Sequence, residues 1–408
     1  MKILFISDVY FPRVNGVSTS IRTFVRELQA MGHEVLLIAP DYGMETEDEQ
    51  WIMRIPARKI YFDPEDRLMK YGAAMERLIE LRRRDFDLIH VHTPFVAHYL
   101  GLKLSHLLDI PCIETYHTFF EDYLHHYLPM IPVGMARWLA RTISRRQCNA
   151  VNGIIAPSQP MLEILRMYGV KTPANVIPTG LLPKSFERAD SAAFRRKYEI
   201  SPEQSVILFV GRVAYEKNID FLLRMMVELR RYQPDVLLVV AGEGPALDDL
   251  RKLSVQLELQ RNVRFIGYLD RNHELNACYS AADVFVFSSK TETQGLVLLE
   301  AMAQQTPVVA LAELGTKSIL VDGQGALIAQ EDEAYFARSV NSLLADEEKR
   351  RRLAESAKRY AVNHWSSQMQ ARRLVQAYEM QIKEKNIALV DRCSPARARQ
   401  SITSRNPE

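Results

Sequence analysis

The stretch Val284–Met302, VFVFSSKTETQGLVLLEAM, decides the fold. Val284–Ser288 reads as a strand, a short polar loop carries Glu292, and Leu296–Gln304 has helical spacing. A run apolar on both faces fits a strand buried in a parallel sheet. A strand that feeds a helix through a short loop is half of a βαβ unit. Gly295 lets a ligand approach the backbone closely. The helix N-terminus beside it, with its unpaired N–H groups and positive dipole end, suits a phosphate. Glu300 lies about 8 Å farther along the helix at the standard rise. Carboxylates so spaced could each accept hydrogen bonds from hydroxyls, as a ligand with sugars on both sides of a diphosphate would require. The alternative is that Glu292 caps the helix and Glu300 is a solvated face residue.

Outward from this segment the same alternation repeats. Val206–Val210, Val236–Ala241, Val263–Gly267 and Pro307–Leu311 are strand-like, with helical spacing in Phe221–Arg231, Pro245–Leu257 and Glu333–Leu344. Upstream, Ile3–Ile6, Val35–Ala39, Leu88–Val91, Cys112–Ile113, Ile154–Ala156 and Asn175–Ile177 form an earlier set, with helical spacing in Ser18–Met31 and Ala73–Arg84. The pattern breaks near Thr179–Glu187. The expected class is α/β: two Rossmann-like, doubly wound domains facing a cleft, 1–183 and 184–365. Ligands of such sheets bind outside the carboxyl ends of the strands, at the switch point. Glu347–Tyr360 and Ser367–Glu384 read as further helices. Residues 366–390 are expected to form a C-terminal helix packing back toward the first domain, and 391–408 a disordered tail.

Composition is that of an ordinary globular chain. In 408 residues, 47% are hydrophobic and 25% charged, which excludes collagen-like and wholly disordered classes. Lys and Arg number 52 against 50 Asp and Glu, so no global electrostatic footprint for nucleic acid exists. Cys112, Cys148, Cys278 and Cys393 are too far apart for a metal spacing and suggest a reducing compartment. No apolar run reaches the ~18 residues of a membrane span, and Asp8 interrupts what would be a signal peptide. The expected location is the cytoplasm.

Four further segments carry chemistry. Gly211–Asn218, GRVAYEKN, follows a strand, and its Arg212 and Lys217 could clamp a diphosphate as a fork and a point charge. Asp8–Ser18, DVYFPRVNGVS, lacks GxGxxG, so the dinucleotide fingerprint is absent. Its Asn15-Gly16 pair still makes a turn that can approach a ligand before a helix from Ser18. Glu114–Tyr127, ETYHTFFEDYLHHY, places His117 just past a strand, where it could bind a hydroxyl. His125 and His126 are adjacent and cannot share one helix face, so no metal site is expected. In Met135–Gln147, MARWLARTISRRQ, a helical wheel clusters Met135, Trp138, Leu139 and Ile143, while Arg137, Arg141 and Arg145 stack on another side. Trp beside a basic face suits an anionic membrane surface. The alternative is a domain helix with its apolar side in the core.

With these residues in place, Met1–Glu384 resembles glycosyltransferase family 4, retaining enzymes of the GT-B fold. Glu292 to Glu300 followed by Ala301-Met302-Ala303 is the strongest mark. Phe11-Pro12 with Asn15-Gly16-Val17, the Val210–Asn218 loop, Ala241–Pro245 and Asn262–Gly267 support it. Within the family the chain is similar to bacterial diacylglycerol glucosyltransferases, on Asn15–Ser20, Thr115–Thr118 with Glu121–Tyr123, Cys148-Asn149, Ile155–Ser158, Val176–Gly180 and Glu216–Asp220.

The resemblance implies roles. Arg212 and Lys217 would hold the donor diphosphate, with Gly16 letting the first loop touch it. Glu300 would bind the ribose, and Gly267, Tyr268 and Leu269 would lie along the nucleobase. Glu292 would bind the donor sugar, flanked by Thr293, Gln294, Gly295 and Leu296. His117 would contact the same sugar. Tyr123, Arg137, Trp138, Arg141 and Arg145 are candidates for the acceptor or membrane. The implied reaction moves glucose from UDP-glucose to diacylglycerol at the inner face of the cell membrane, with no cofactor and no obligate metal. Other donors (GDP-mannose, UDP-glucuronate), other acceptors (phosphatidylinositol, a soluble sugar) and a nucleotide-sugar epimerase stay open.

Overall fold

The computed structural model describes residues 1–43, 50–59, 67–117, 119, 132–270 and 274–393, and the chain divides into two compact units. The first comprises Met1–Ala156, Ile164–Ile177 and the chain from Ala371 onward. Its strands are β1 (Lys2–Ile6), β2 (Glu34–Pro40), β3 (Ile52–Ile55), a separate antiparallel pair β4 (Ala57–Lys59) and β5 (Arg67–Met69), then β6 (Leu88–Val91), β7 (Cys112–Thr115), β8 (Gly153–Ala156) and β9 (Ala174–Val176). A 7-stranded parallel sheet has the order β3-β2-β1-β6-β7-β8-β9. Ile3, Phe5, Ile21, Phe24, Leu28 and Leu37 pack with Leu374 and Tyr378 of the C-terminal helix into one core. Burying a side chain of this size gives about 1.5–3 kcal/mol each.

The second unit comprises Pro157–Glu163 and Pro178–Gln370. Its strands are β10 (Val206–Val210), β11 (Leu237–Ala241), β12 (Val263–Gly267), β13 (Val284–Phe287), β14 (Val308–Ala310) and β15 (Ala326–Ile328). They form a 6-stranded parallel sheet in the order β12-β11-β10-β13-β14-β15. Every residue of β10, β11 and β13 is buried, as strands covered on both faces must be. In each sheet the winding reverses once, between β1 and β6 and between β10 and β13. Those reversals are the switch points where such sheets bind ligands.

Several boundaries differ from the sequence reading. The strands β3, β4, β5 and β15 were not expected; β3 and β15 pair on one side only, and no position of β3 before Ile55 is fully buried. Ala73–Arg84 is two short helices, Tyr71–Glu76 and Leu78–Arg82, because only Ala74 and Leu81 are buried and no continuous apolar stripe exists. The first long helix is Gly16–Ala30, so Asn15 is its N-cap rather than part of a preceding turn, its Oδ1 accepting from the Ser18 amide at 2.8 Å. The last helix runs Ser367–Cys393, past Glu384 and into the segment expected to be tail. Among the described residues no helix is long and apolar enough to cross a membrane.

Candidate active site

In the second unit β10 and β13 are neighbours, Ile207 opposite Val284, so the loops that follow them emerge side by side. After β10 the chain makes a tight turn, Tyr215–Lys217, and Asn218 takes left-handed backbone, φ 54, to start the helix Ile219–Leu229. Side chains stitch this turn to the β13 loop. Ser288 Oγ donates to the Asn218 carbonyl at 2.8 Å, and Asn218 Nδ2 donates back to the Ser288 carbonyl at 3.3 Å. Ser289 Oγ donates to the Glu216 carbonyl at 3.3 Å. The result brings Lys217 Nζ to 2.6 Å from Glu292 Oε2, with the two side chains 13% and 23% exposed. Two charges from distant sequence thus share one partly open position at the switch point.

The Glu292 loop is held from behind. The Gly315 amide donates to the Glu292 carbonyl at 2.8 Å, and a Cβ at Gly315 would sit 2.0 Å from the Thr293 carbonyl oxygen, so only glycine permits this approach. Ser158 Oγ donates to that same Thr293 carbonyl at 2.8 Å. The Gln294 side chain is committed to Thr179, accepting from its amide at 2.9 Å and donating to its carbonyl at 2.7 Å. Any ligand contact at Gln294 therefore falls to its backbone. The N-cap of the helix Leu296–Ala303 is Gly295, φ 95, with no side-chain cap, so Glu292 is not a capping residue. Glu300 is buried and accepts from the Tyr279 hydroxyl at 2.8 Å, so it is not a solvated face residue either. Both alternatives to the functional reading of this carboxylate pair fall on geometry.

Arg212 is partly buried at the end of β10, its flanks fixed by Gly211 N to the Ala241 carbonyl at 3.0 Å and Val213 N to the Glu243 carbonyl at 2.9 Å. Gly267 ends β12, Tyr268 is half-exposed and Leu269 partly buried. Because β12 and β10 flank β11, these residues stand about 10 Å along the same carboxyl edge from the Arg212 loop.

The first unit holds the other candidates. His117 follows β7 and lies with its Nε2 3.2 Å from His92 Nδ1. Burial lowers its pKa to about 4, so the ring is neutral at physiological pH. Gly16 is exposed and a Cβ there would meet nothing within 4 Å, so packing inside the protein gives no reason for glycine. Tyr123, His125 and His126 lie outside the described residues. Among the described residues no group of His, Cys, Asp and Glu could hold a metal ion. In the helix Val133–Cys148 the buried positions are Ala136, Ala140, Ser144, Gln147 and Cys148, whereas Met135, Trp138 and Ile143 are exposed, Trp138 by 64%. The expected alternative of an apolar side in the core is therefore wrong: small residues face inward, and the large apolar ones share the outside with Arg137, Arg141 and Arg145. A groove of about 490 Å³ runs beside them, lined by Trp138, Arg141, Arg145, Ile164 and Met167 among others.

Sequence reasoning missed Tyr279, Gly315, Asp8 and His92. Asp8 follows β1, its Oδ2 accepting from Thr93 Oγ1 at 2.8 Å and the Ala97 amide at 2.9 Å. Burial raises its pKa to about 6. A His-x-His pattern at the end of an apolar strand, His90 and His92, is the one signal that could have drawn attention there.

Comparison with known proteins agrees along most of the chain. The family model described as Glycosyltransferase Family 4 matches residues 14–183, and that described as Glycosyl transferases group 1 matches residues 190–360. An alpha-monoglucosyldiacylglycerol synthase of Streptococcus pneumoniae is 37% identical over 76% of this chain and 71% of its own. A protein of the same description from Acholeplasma laidlawii is 28% identical over 82% and 86%. A sulfoquinovosyl transferase of Arabidopsis thaliana is 29% identical over 87% and 69%. Among solved structures, sucrose-phosphate synthase from Thermosynechococcus elongatus superposes with a TM-score of 0.76 at 21% identity, over 93% and 98% of the two chains, a likeness of fold.

Proposed function

The chain belongs to glycosyltransferase family 4, a GT-B glycosyltransferase, and from that premise we propose that it transfers glucose from UDP-glucose to the hydroxyl of diacylglycerol at the cytoplasmic membrane surface, with retention of configuration. The observation that carries this is the Lys217–Glu292 contact at the switch point, beside a Glu300 oriented by Tyr279, in a chain 37% identical to a named monoglucosyldiacylglycerol synthase.

The bond from the anomeric carbon to the diphosphate oxygen breaks as the bond to the acceptor oxygen forms, and the acceptor proton passes to the leaving phosphate. The transition state is oxocarbenium-like. Negative charge grows on the leaving diphosphate, so cations fixed in advance stabilise the transition state more than the ground state. Lys217 and Arg212, with the amides at the start of the helix Leu296–Ala303, supply that charge. Glu292, released from Lys217 as the diphosphate takes the ammonium, accepts hydrogen bonds from the sugar, and Glu300 from the ribose. With two cations supplying the charge the reaction should need no metal, and chelation with EDTA is expected to leave the rate unchanged.

The experiment that tests this is a donor panel with diacylglycerol vesicles, read by lipid mass spectrometry. Glucosyl-diacylglycerol from UDP-glucose is expected. Transfer only from GDP-mannose or UDP-glucuronate replaces the donor, and products only on phosphatidylinositol or soluble sugars replace the acceptor. An isomerised nucleotide sugar from donor alone makes the protein an epimerase. The outward Met135, Trp138 and Ile143 beside three arginines support contact with an anionic membrane. Arg137, Arg141 and Arg145 changed together to Glu should lose co-sedimentation with anionic vesicles; undiminished binding removes this helix from the membrane surface.

A further inference from the structure

The loop after β13 is gripped on its carbonyl side. The Glu292 carbonyl accepts from the Gly315 amide at 2.8 Å, and the Thr293 carbonyl accepts from Ser158 Oγ at 2.8 Å. In a planar trans peptide the C=O and the N–H that follows it point opposite ways. Turning the Thr293 carbonyl toward Ser158 therefore turns the Gln294 N–H away from Ser158. No described residue accepts from that N–H. The carbonyls are the side of the loop that the protein holds, and the Gln294 N–H is on the side left for a ligand.

The Gln294 side chain sets how far that N–H can swing. Gln294 is only 6% exposed. Its Oε1 accepts from the Thr179 amide at 2.9 Å and its Nε2 donates to the Thr179 carbonyl at 2.7 Å. One side-chain amide thus meets both backbone groups of a residue 115 positions away, as a paired strand would. The anchor is itself fixed. Leu181 N donates to the Trp365 carbonyl at 2.7 Å, and the Leu181 carbonyl accepts from Ser367 N at 2.9 Å. Gly180 packs so tightly that a Cβ there would sit 2.6 Å from the Ser366 backbone. Burying an amide is favourable only when both of its ends are paired. An apolar side chain of the same length would fill the space but leave the loop free to rotate, whereas the paired amide holds it at one angle.

We propose that the Gln294 side chain is a positioning group: by clamping Thr179 it aims its own backbone N–H at an oxygen of the transferred sugar. This deepens the function proposed above and rests on the Glu292 loop meeting the donor sugar. The clamp acts on the sugar and not on the nucleotide, so its removal separates the two.

The test uses two variants of the full chain. Gln294→Met keeps the length and removes both hydrogen bonds. Its kcat/KM for UDP-glucose should fall about tenfold, the scale of two neutral hydrogen bonds, while UDP, which lacks the sugar, should bind within about twofold of wild type. Gln294→Glu adds a readout that packing alone would not move. A protonated carboxyl offers one acceptor and one O–H donor, as the amide does; an ionised one offers acceptors only and faces the Thr179 carbonyl. Burial raises such a carboxyl's pKa, so the rate relative to wild type at the same pH should climb as pH falls from about 8 to about 5. Equal losses of UDP binding and turnover in Gln294→Met, no loss in that variant, or a Gln294→Glu ratio that stays flat with pH each overturn the proposal. If either variant does not fold, judged by its melting curve, the other alone decides. A wild type that binds UDP yet transfers no glucose from UDP-glucose removes the function proposed above together with this role. A wild type that transfers glucose while the variants fail these tests removes this role alone.

Discussion

Where β10 and β13 part, the chain keeps Arg212, Lys217, Glu292 and Glu300; where β1 and β6 part, it keeps Asp8, His90 and His92, with His117 next to them. The two places are topological equivalents in sheets of the same winding. Their chemistry is opposite. In the second unit Lys217 and Glu292 stay open enough to water to remain an ion pair. In the first, burial pushes the Asp8 carboxyl up to about 6, pulls His117 down to about 4 and holds His90 and His92 well below the usual imidazole range. One fold thus offers an end with two cations, suited to a diphosphate, and an end of neutral imidazoles beside one buried carboxyl that loses its proton above about pH 6, suited to hydroxyls. The difference lies in how deeply the side chains after the strands are covered, not in the strands.

The largest effect expected from this contrast is at Lys217. Lys217→Ala should lower kcat/KM for the nucleotide sugar by about 10³-fold, the scale of losing one group that stabilises a developing anion. Asp8→Asn, at the equivalent edge of the other sheet, should cost less than about tenfold, because no charge develops against it. Initial rates of both variants check this. Comparable losses would end the division into a cationic end and an imidazole end.

A smaller effect appears in stability against pH. An unfolded histidine titrates near 6.5, and His90, His92 and His117 titrate lower in the folded protein. Between those values the unfolded chain binds more protons. The stability these groups contribute is complete above pH 6.5 and is lost as pH falls toward 4. Each contributes a slope of about 1.4 kcal/mol per pH unit. Asp8 acts the other way: raised from 3.8 to about 6, its contribution is complete below 3.8 and is lost as pH rises through 6. Between about pH 4 and 6 it offsets one histidine. Urea unfolding across that interval should give a slope shallower by one proton in His92→Asn and steeper by one in Asp8→Asn. Unchanged slopes would mean that these groups are not held neutral.

The charged end was legible in sequence and the neutral end mostly was not. Glu292, Arg212 and Lys217 announce themselves because charged residues in loops after apolar strands have no packing reason to be there, and Glu300 because it interrupts the apolar helix that follows Glu292. Glu300 needed the structure only to separate a buried carboxylate from a solvated one, since spacing along a helix does not say which side is covered. His92 and Asp8 hide because one polar residue at the end of an apolar strand looks like the strand simply stopping. Tyr279 gave no signal at all: a tyrosine amid apolar residues reads as core, and its hydroxyl matters only because the fold brings Glu300 to it. The outward face of Val133–Cys148 was half legible, with two readings left open. A wheel shows that Met135, Trp138 and Ile143 cluster but not which side is covered, and the structure buries Ala136, Ala140 and Ser144 instead.

The smallest effect, and the sharpest for the charged end, is at Tyr279. Its hydroxyl donates to one oxygen of Glu300 and fixes the plane of that carboxylate. If the other oxygen serves a ribose hydroxyl, Tyr279→Phe loosens the carboxylate without removing it. The ring is fully buried, and phenylalanine keeps its shape, so folding should survive. UDP should then bind about three- to tenfold more weakly, the range of one hydrogen bond to a charged group. A structural role would weaken UDP and its deoxyribose analogue by the same factor. A role in orienting Glu300 weakens UDP more, so the preference for ribose shrinks. Calorimetric titration of both nucleotides into both proteins measures that ratio, and a ratio unchanged by Tyr279→Phe would make the tyrosine a packing residue and leave Glu300 to orient itself.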